Sequence, residues 1–258
     1  MNRARFFASI PKDGLTLEIG ALCSPLLHPA RHNNRILDAF SREDLMRSYA
    51  DDPMVKCEAI LPVDYVWRGE RLYSELIPEE RFDAVISSHN IEHQPDLIGH
   101  LNSVTSVLKA RGRVFLAIPD YRYCFDHFLS ESTLSDVLGA HLEGRTRPSV
   151  TTILERHVLG AHNDSLRHWR GVHESNAALD GDVRAIRKAY DDLQAGMRDA
   201  PERYIDAHCW KFTPRSFRSI LALLVAMGLV DLTVTSCLDT SFGSNEFYAV
   251  LQKNEKSE

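Results

Sequence analysis

Thr16-Leu17-Glu18-Ile19-Gly20, running into Ala21-Leu22-Cys23-Ser24-Pro25, is the stretch on which the reading of the chain turns. A short apolar run closed by an acid and then a glycine marks a first strand handing over to its loop. In open α/β sheets ligands bind outside the carboxyl ends of the strands. A glycine at that point lets the backbone approach a ligand with no Cβ in the way. Glu18 sets a negative charge beside it, which suits a cationic, hydroxyl-bearing ligand better than a pyrophosphate. The G-x-G-x-x-G phosphate fingerprint is absent, and the plainer alternative is a buried strand ending in a turn.

The chain has 258 residues, 44% of them hydrophobic, enough for one full core or one core with an insertion. A net charge of −6 argues against a nucleic-acid partner held by a broad basic face. The arginines Arg145, Arg147, Arg156, Arg167 and Arg170 nevertheless cluster in the sequence. Five scattered cysteines without a C-x-x-C pair fit a reducing compartment rather than a disulfide framework. With no leader-like segment and no apolar run long enough to span a membrane, the expected location is cytoplasmic.

Further strands are expected at 35–38, 59–64, 82–88, 113–120, 230–235 and 246–251. The first three candidates end in Glu18, Asp38 and Asp64. Ser41 reads as an N-cap with Asp44 completing a capping box. Residues 96–109 carry Leu97, Leu101, Val104 and Leu108 at helical spacing, with Gly112 closing the helix. Thr213-Pro214 opens another helix, which stops at Gly228. Between 121 and 207 the strand rhythm lapses into a His- and Arg-rich, mostly helical segment, with helices expected at 134–142 and 183–197. The expectation is an α/β, Rossmann-like, seven-stranded, mostly parallel sheet with one antiparallel edge strand and an inserted helical cap. Residues 1–120 and 208–258 would form the sheet domain and 121–207 the cap.

The three acids, the block Phe82–His93 (FDAVISSHNIEH) with Gln94-Pro95-Asp96, and VLKARGRVFLAIPD at 107–120 together resemble the class I S-adenosylmethionine-dependent methyltransferases. A narrower likeness is to the methyltransferase domains found with bacterial surface-glycan synthesis. It rests on Glu-Ile-Gly before a Ser-Pro loop, Val63-Asp64-Tyr65, Ile118-Pro119-Asp120 with Phe125-Asp126, and Asp206-Ala207-His208 before Trp210 and Thr213. The family's glycine motif is reduced here to Gly20, and no long helix fits between the first two strands.

The resemblance implies S-adenosylmethionine as cofactor. Glu18, Gly20 and Ala21 would line its methionine side, and with the glycine motif reduced the loop would hold the cofactor through Ser24. Asp38 would bind the ribose hydroxyls and Asp64 would lie near the adenine, while Ser88 and His89 would sit beside the sulfonium. For a hydroxyl acceptor a neutral imidazole suits the general base. His93 and His208 are the candidates, with Asp120 orienting one of them or holding a sugar hydroxyl. Each of these residues has a structural alternative: strand-ending polar groups for the acids, helix entry or packing for the histidines. His89 and His93, four apart around Glu92, would share a helix face. The cap histidines His157, His162, His168 and His173 with Asp164 match no fixed ligand spacing, so a divalent metal is not the favoured reading. The expected function is O-methylation of a sugar or glycan intermediate. A small phenolic or quinone-like acceptor, or a binding module that kept the fold without catalysis, are the alternatives.

Overall fold

The structure, a computed structural model, describes residues 3–53, 55–69, 71–199 and 204–255. Its centre is β1 (Thr16–Ile19), all four residues buried. It pairs in parallel with β2 (Asn34–Asp38) on one side and β4 (Phe82–Ser88) on the other. With β3 (Tyr65–Val66), β5 (Leu108–Pro119), β6 (Leu232–Leu238) and β7 (Glu246–Lys253), the sheet runs β3-β2-β1-β4-β5-β7-β6. This is the expected seven-stranded Rossmann-like α/β sheet. Its antiparallel strand, expected at the edge, is β7, one place in from edge strand β6. The long apolar face of β7 earns it a place between two neighbours, since four of its first residues are buried.

Side-chain alternation splits the interior between the two faces. Val85, Val114, Leu116, Ile118, Phe247, Ala249 and Leu251 join one core, completed by α4 (Leu97–Val107), α5 (Leu134–Leu142) and α9 (Pro214–Ala226). Ala84, Ile86, Phe115, Ala117 and Tyr248 form the other. That second face is covered by α1 (Arg3–Phe7) and the loop after β1, through Phe6, Phe7, Ile10 and Leu27. Phe6 stacks on Tyr248 with ring centroids 4.8 Å apart.

The caps follow the expected chemistry. Ser41 accepts the Asp44 N–H ahead of α2 (Arg42–Ser48), Asp96 accepts that of Gly99, and Thr213 and Ser216 close a capping box with Pro214 in the first turn. Gly112 does not close α4. The helix ends at Val107, Leu108 already belongs to β5, and Arg111 takes the left-handed turn at φ 59°. The register between β4 and β5 jumps there, from Phe82↔Leu108 to Ala84↔Arg113, with Lys109 paired to Asp83 at 2.9 Å across the bulge.

The segment expected as a cap holds α5, α6 (Val150–Leu159), α7 (Ser165–Trp169) and α8 (Val183–Asp199). Val137 and Ala140 of α5 lie inside the main core, whereas α8 buries no side chain. Among the described residues no helix is long and apolar enough to cross a membrane.

His100, buried beside α3 (Tyr73–Leu76), has its Nδ1 3.2 Å from the Tyr73 hydroxyl, and burial pulls its pKa down to about 4. The unfolded chain takes up that proton near the ordinary value of 6.5, the folded chain only near 4. Stability is therefore fully present above pH 6.5 and falls as the pH drops towards 4, by up to ~3 kcal/mol. Urea unfolding of His100→Gln against the parent across that window should show a flatter pH profile for the variant.

Candidate functional site

The carboxyl ends of β1, β2 and β4 open onto one edge of the sheet. Gly20 takes φ +71°, a conformation that favours glycine, and a side chain there would point towards Asn90 at 3.8–3.9 Å. Ala21 is buried behind it, while Ser24 is exposed, its N–H donating to Ala21 O at 3.0 Å and its hydroxyl 3.8 Å from the Cys23 sulfur. Asp38 ends β2 half-buried, and its Oδ1 accepts the Phe40 N–H at 3.1 Å. Burial raises its pKa against the two backbone donors, Phe40 and Ala39. Tyr49 stands close enough to Asp38 and Asp206 for both charges to add to burial in raising its phenol pKa.

Three expected cofactor residues are otherwise engaged. Glu18 faces away from the edge and is 3% exposed. Its oxygens accept the N–H groups of Leu26 (2.7 Å) and Leu27 (3.3 Å) and the Asn34 amide (3.1 Å). It anchors the loop from within. Asp64 does not end a strand: it precedes β3, is exposed, and accepts the Ile36 N–H at 2.7 Å, prolonging the ladder beside β2. Ser88 accepts from Arg3 at 2.9 Å, on the α1 side.

His89, the other expected neighbour of a sulfonium, has φ +48° and sets its Nε2 2.9 Å from Glu246 Oε2. Burial works to raise the pKa of Glu246, but hydrogen bonds from His89, Arg3 and Tyr248 hold it at about 2. Ile91–His93 form a 3-10 turn rather than α-helix, so His89 and His93 do not share a helix face.

His93 and His208 do come together, their rings perpendicular with centroids 4.7 Å apart. Asp120 orients neither. It is fully buried, paired with Arg122 at 2.6 and 2.8 Å and bonded by the Thr240 hydroxyl at 2.6 Å. The orienting carboxylates are Asp206, 2.8 Å from His93 Nδ1, and Asp126, 2.5 Å from His208 Nδ1. Both lie in motifs already noted in the sequence, but their pairing to these two rings needs the fold. Burial pulls the His93 pKa down, yet Asp206 and Glu92 more than offset it, leaving it raised.

Glu92, between these rings, is the residue the sequence did not single out. It is fully buried, and neither carboxylate oxygen has a hydrogen-bond partner. Trp210 is core and donates to Gln94 O at 2.6 Å, while the Phe125 ring lies 4.7 Å from the His208 ring. A separate open cleft is bounded by Cys23, Pro25, His28, Ser41, Arg42 and the 58–63 segment.

No protein-family model matches the chain, and no curated protein sequence does. Several solved structures are similar in fold. The CcbJ methyltransferase from Streptomyces caelestis shares 11% identity, covering 98% of this chain and 88% of its own, with a TM-score of 0.46. A Rhodobacter sphaeroides protein described as a Zn-dependent alcohol dehydrogenase shares 14%, covering 98% and 89%, at 0.49. The mitomycin 7-O-methyltransferase MmcR shares 12%, covering 97% and 52%, at 0.42. This likeness is one of sheet architecture; the chemistry of the edge rests on the chain's own residues.

Removing the Glu18 carboxylate leaves three buried or half-buried donors without their acceptor. Glu18→Ala should cost ~2–4 kcal/mol and speed hydrogen exchange at the Leu26 and Leu27 amides. An unchanged melting temperature and exchange pattern would show the loop to be held by other contacts.

Proposed function

We propose that this chain is an S-adenosylmethionine-dependent methyltransferase whose acceptor is a hydroxyl of a sugar or glycan intermediate. What supports the proposal is that the Gly20 turn and Asp38 follow β1 and β2 while the His93–His208 pair follows β4, neighbouring parallel strands whose carboxyl ends share one sheet edge. The residues present fit the cofactor. Gly20 leaves backbone open beside Asn90, and Asp38 is a half-buried strand-end carboxylate, held by the Phe40 and Ala39 amides, of the kind that accepts ribose hydroxyls. Glu18 supports that edge indirectly, and Asp64 takes no part in it. When bound, the cofactor would supply a methyl group activated on a sulfonium.

The chain's own contribution is position, dryness and proton handling. A backbone turn and a carboxylate fixed at strand ends hold their ligand with little freedom, the source of most rate gain in a displacement of this kind. Donation from Nδ1–H to Asp206 or Asp126 leaves Nε2 of His93 or His208 as a proton acceptor facing the interior of the site. An acceptor hydroxyl placed there loses its proton to Nε2, and the carboxylate behind the ring stabilises the imidazolium that forms. Such base assistance is worth about 10²–10⁴-fold in rate. The sugar acceptor is supported by the resemblance around Asp126 and His208.

Calorimetry with S-adenosylmethionine and S-adenosylhomocysteine tests the reading directly. The parent should bind both, and Asp38→Ala should weaken binding by about 10–100-fold through the lost charge-assisted hydrogen bonds. A well-folded parent that binds neither compound would refute it.

A further inference from the structure

We propose that Glu92, His93 and His208 form a binding site for a divalent transition-metal ion with coordination positions left open for a substrate oxygen. The inference deepens the methyl-transfer reading of the same site, but the binding itself does not depend on it.

The argument starts from electron pairs. His93 donates from Nδ1 to Asp206, and His208 donates from Nδ1 to Asp126. In the neutral ring that fixes Nε2 as a lone pair, and both Nε2 atoms face one oxygen of Glu92, at 3.7 and 3.9 Å. Two imidazole lone pairs and a carboxylate therefore point at a common centre with no hydrogen between them. At these separations doubly protonated rings would form ion pairs with Glu92 but no N–H···O bonds. Glu92 meanwhile has no donor at either oxygen, although it is fully buried. His89 Nδ1 also stands 3.8 Å from the same oxygen, again beyond hydrogen-bond reach. A fully buried carboxylate without a hydrogen-bond donor is costly, and a cation at the centre removes the cost.

The geometry suits an ion. The three ligand atoms lie within 4.8 Å of one another. Metal–ligand bonds of ~2.0–2.2 Å would bring neighbouring donors to about 3.3 Å, so closure needs side-chain shifts of roughly half an ångström. The perpendicular rings let both in-plane lone pairs meet at one point. Each ligating imidazole already carries a carboxylate on its far nitrogen, the arrangement that orients metal-binding histidines.

A second cluster, His127, His168 and His173, fails on this count. His127 and His173 stack 3.7 Å apart at 9°, so their in-plane lone pairs run parallel and cannot converge.

Two imidazoles and one carboxylate favour Zn²⁺, Fe²⁺, Mn²⁺ or Co²⁺ over Mg²⁺ and Ca²⁺, which prefer all-oxygen sets. Three protein ligands leave room for an oxygen ligand, and an ion there would acidify a bound hydroxyl in place of the imidazole base.

The test uses the full chain stripped with a chelator and titrated with Co²⁺ and Zn²⁺ in the absence of S-adenosylmethionine. One ion per chain is expected, with visible cobalt bands and a zinc-induced rise in melting temperature; Mg²⁺ should not compete. Glu92→Gln and His208→Ala should abolish the cobalt spectrum, and Asp126→Asn should weaken binding about 10–100-fold. His173→Ala should leave binding unchanged. Metal-free Glu92→Gln should melt above the metal-free parent, since its amide can donate to the waiting Nε2 atoms, and zinc should no longer stabilise it. Absence of ion binding by the stripped parent would overturn the proposal, as would binding that survives Glu92→Gln but is lost in His173→Ala. If the histidine variants do not fold, the parent's cobalt spectrum and zinc-dependent melting still decide. Since the titration reads neither cofactor nor turnover, a chain that binds the ion but no S-adenosylmethionine refutes only the methyl-transfer reading.

Discussion

The backbone carbonyl of Glu92 accepts the N–H groups of both Cys209 (2.7 Å) and Trp210 (3.2 Å), and the whole open edge of the sheet hangs on that junction. It ties the turn after β4 to a strap that returns from the helical segment 113 residues or more later in the chain. Trp210 reinforces the tie by donating to Gln94 O. The strap then runs beside the chain leaving β5, where Asp120 and Phe212 form a parallel bridge and Ser132 and Lys211 exchange two hydrogen bonds. Without it His208 would have no fixed relation to His93, nor Asp126 to His208. The same turn supplies Glu92's side chain to the space that these contacts enclose, so scaffold and chemistry share three residues.

A second constraint sits beneath β1. The connection from Gly20 to Asn33 forms no helix, and one face of the sheet is closed by that loop and α1 instead. A loop has few backbone partners of its own, and a buried one needs acceptors for its N–H groups. Glu18 supplies them, and Asn34 bridges the same carboxylate to Leu27 O. Burial raises the carboxyl pKa even against these three donors. Gly20 is the one glycine between β1 and β2, and the loop that follows it is held in place by a carboxylate from below.

Much of the sheet was legible because parallel strands buried on both faces are written as continuous apolar runs, as at Phe82–Ser87 and Val114–Ile118. The starts of α2 and α9 were legible because Ser41 and Thr213-Pro214 are local N-cap signals that need no tertiary partner. Asp64 was misplaced because Pro62-Val63 reads as strand, whereas the ladder begins only at Tyr65; a strand of two residues carries no periodicity. Glu18 and Asp120 illustrate a different limit. Sequence places an acid at a strand end but not the face towards which it turns, and Leu26 or Arg122 can claim it first. Glu92 escaped notice since an acid between Ile91 and His93 looks like the polar side of a turn. Only the return of the strap, 207–210, buries it.

The charge around the mouth gives these details a common direction. Asp38, Glu92, Asp126, Asp206 and Glu246 gather near the ends of β2, β4 and β7, and the cations that approach them are mostly committed elsewhere. Arg122 serves Asp120, and Arg156 bonds the Asp206 carbonyl and covers Phe125. Arg3 neutralises Glu246 from the α1 side. The remaining negative potential, in a partly enclosed edge of low polarisability, draws positive ligands more strongly than the same charges would in water. Glu246, Asp120 and Glu18 are each answered by a donor side chain, Arg3, Arg122 and Asn34, whereas the buried oxygens of Glu92 have none, and that absence, costly for folding alone, sets the edge apart from the rest of the structure.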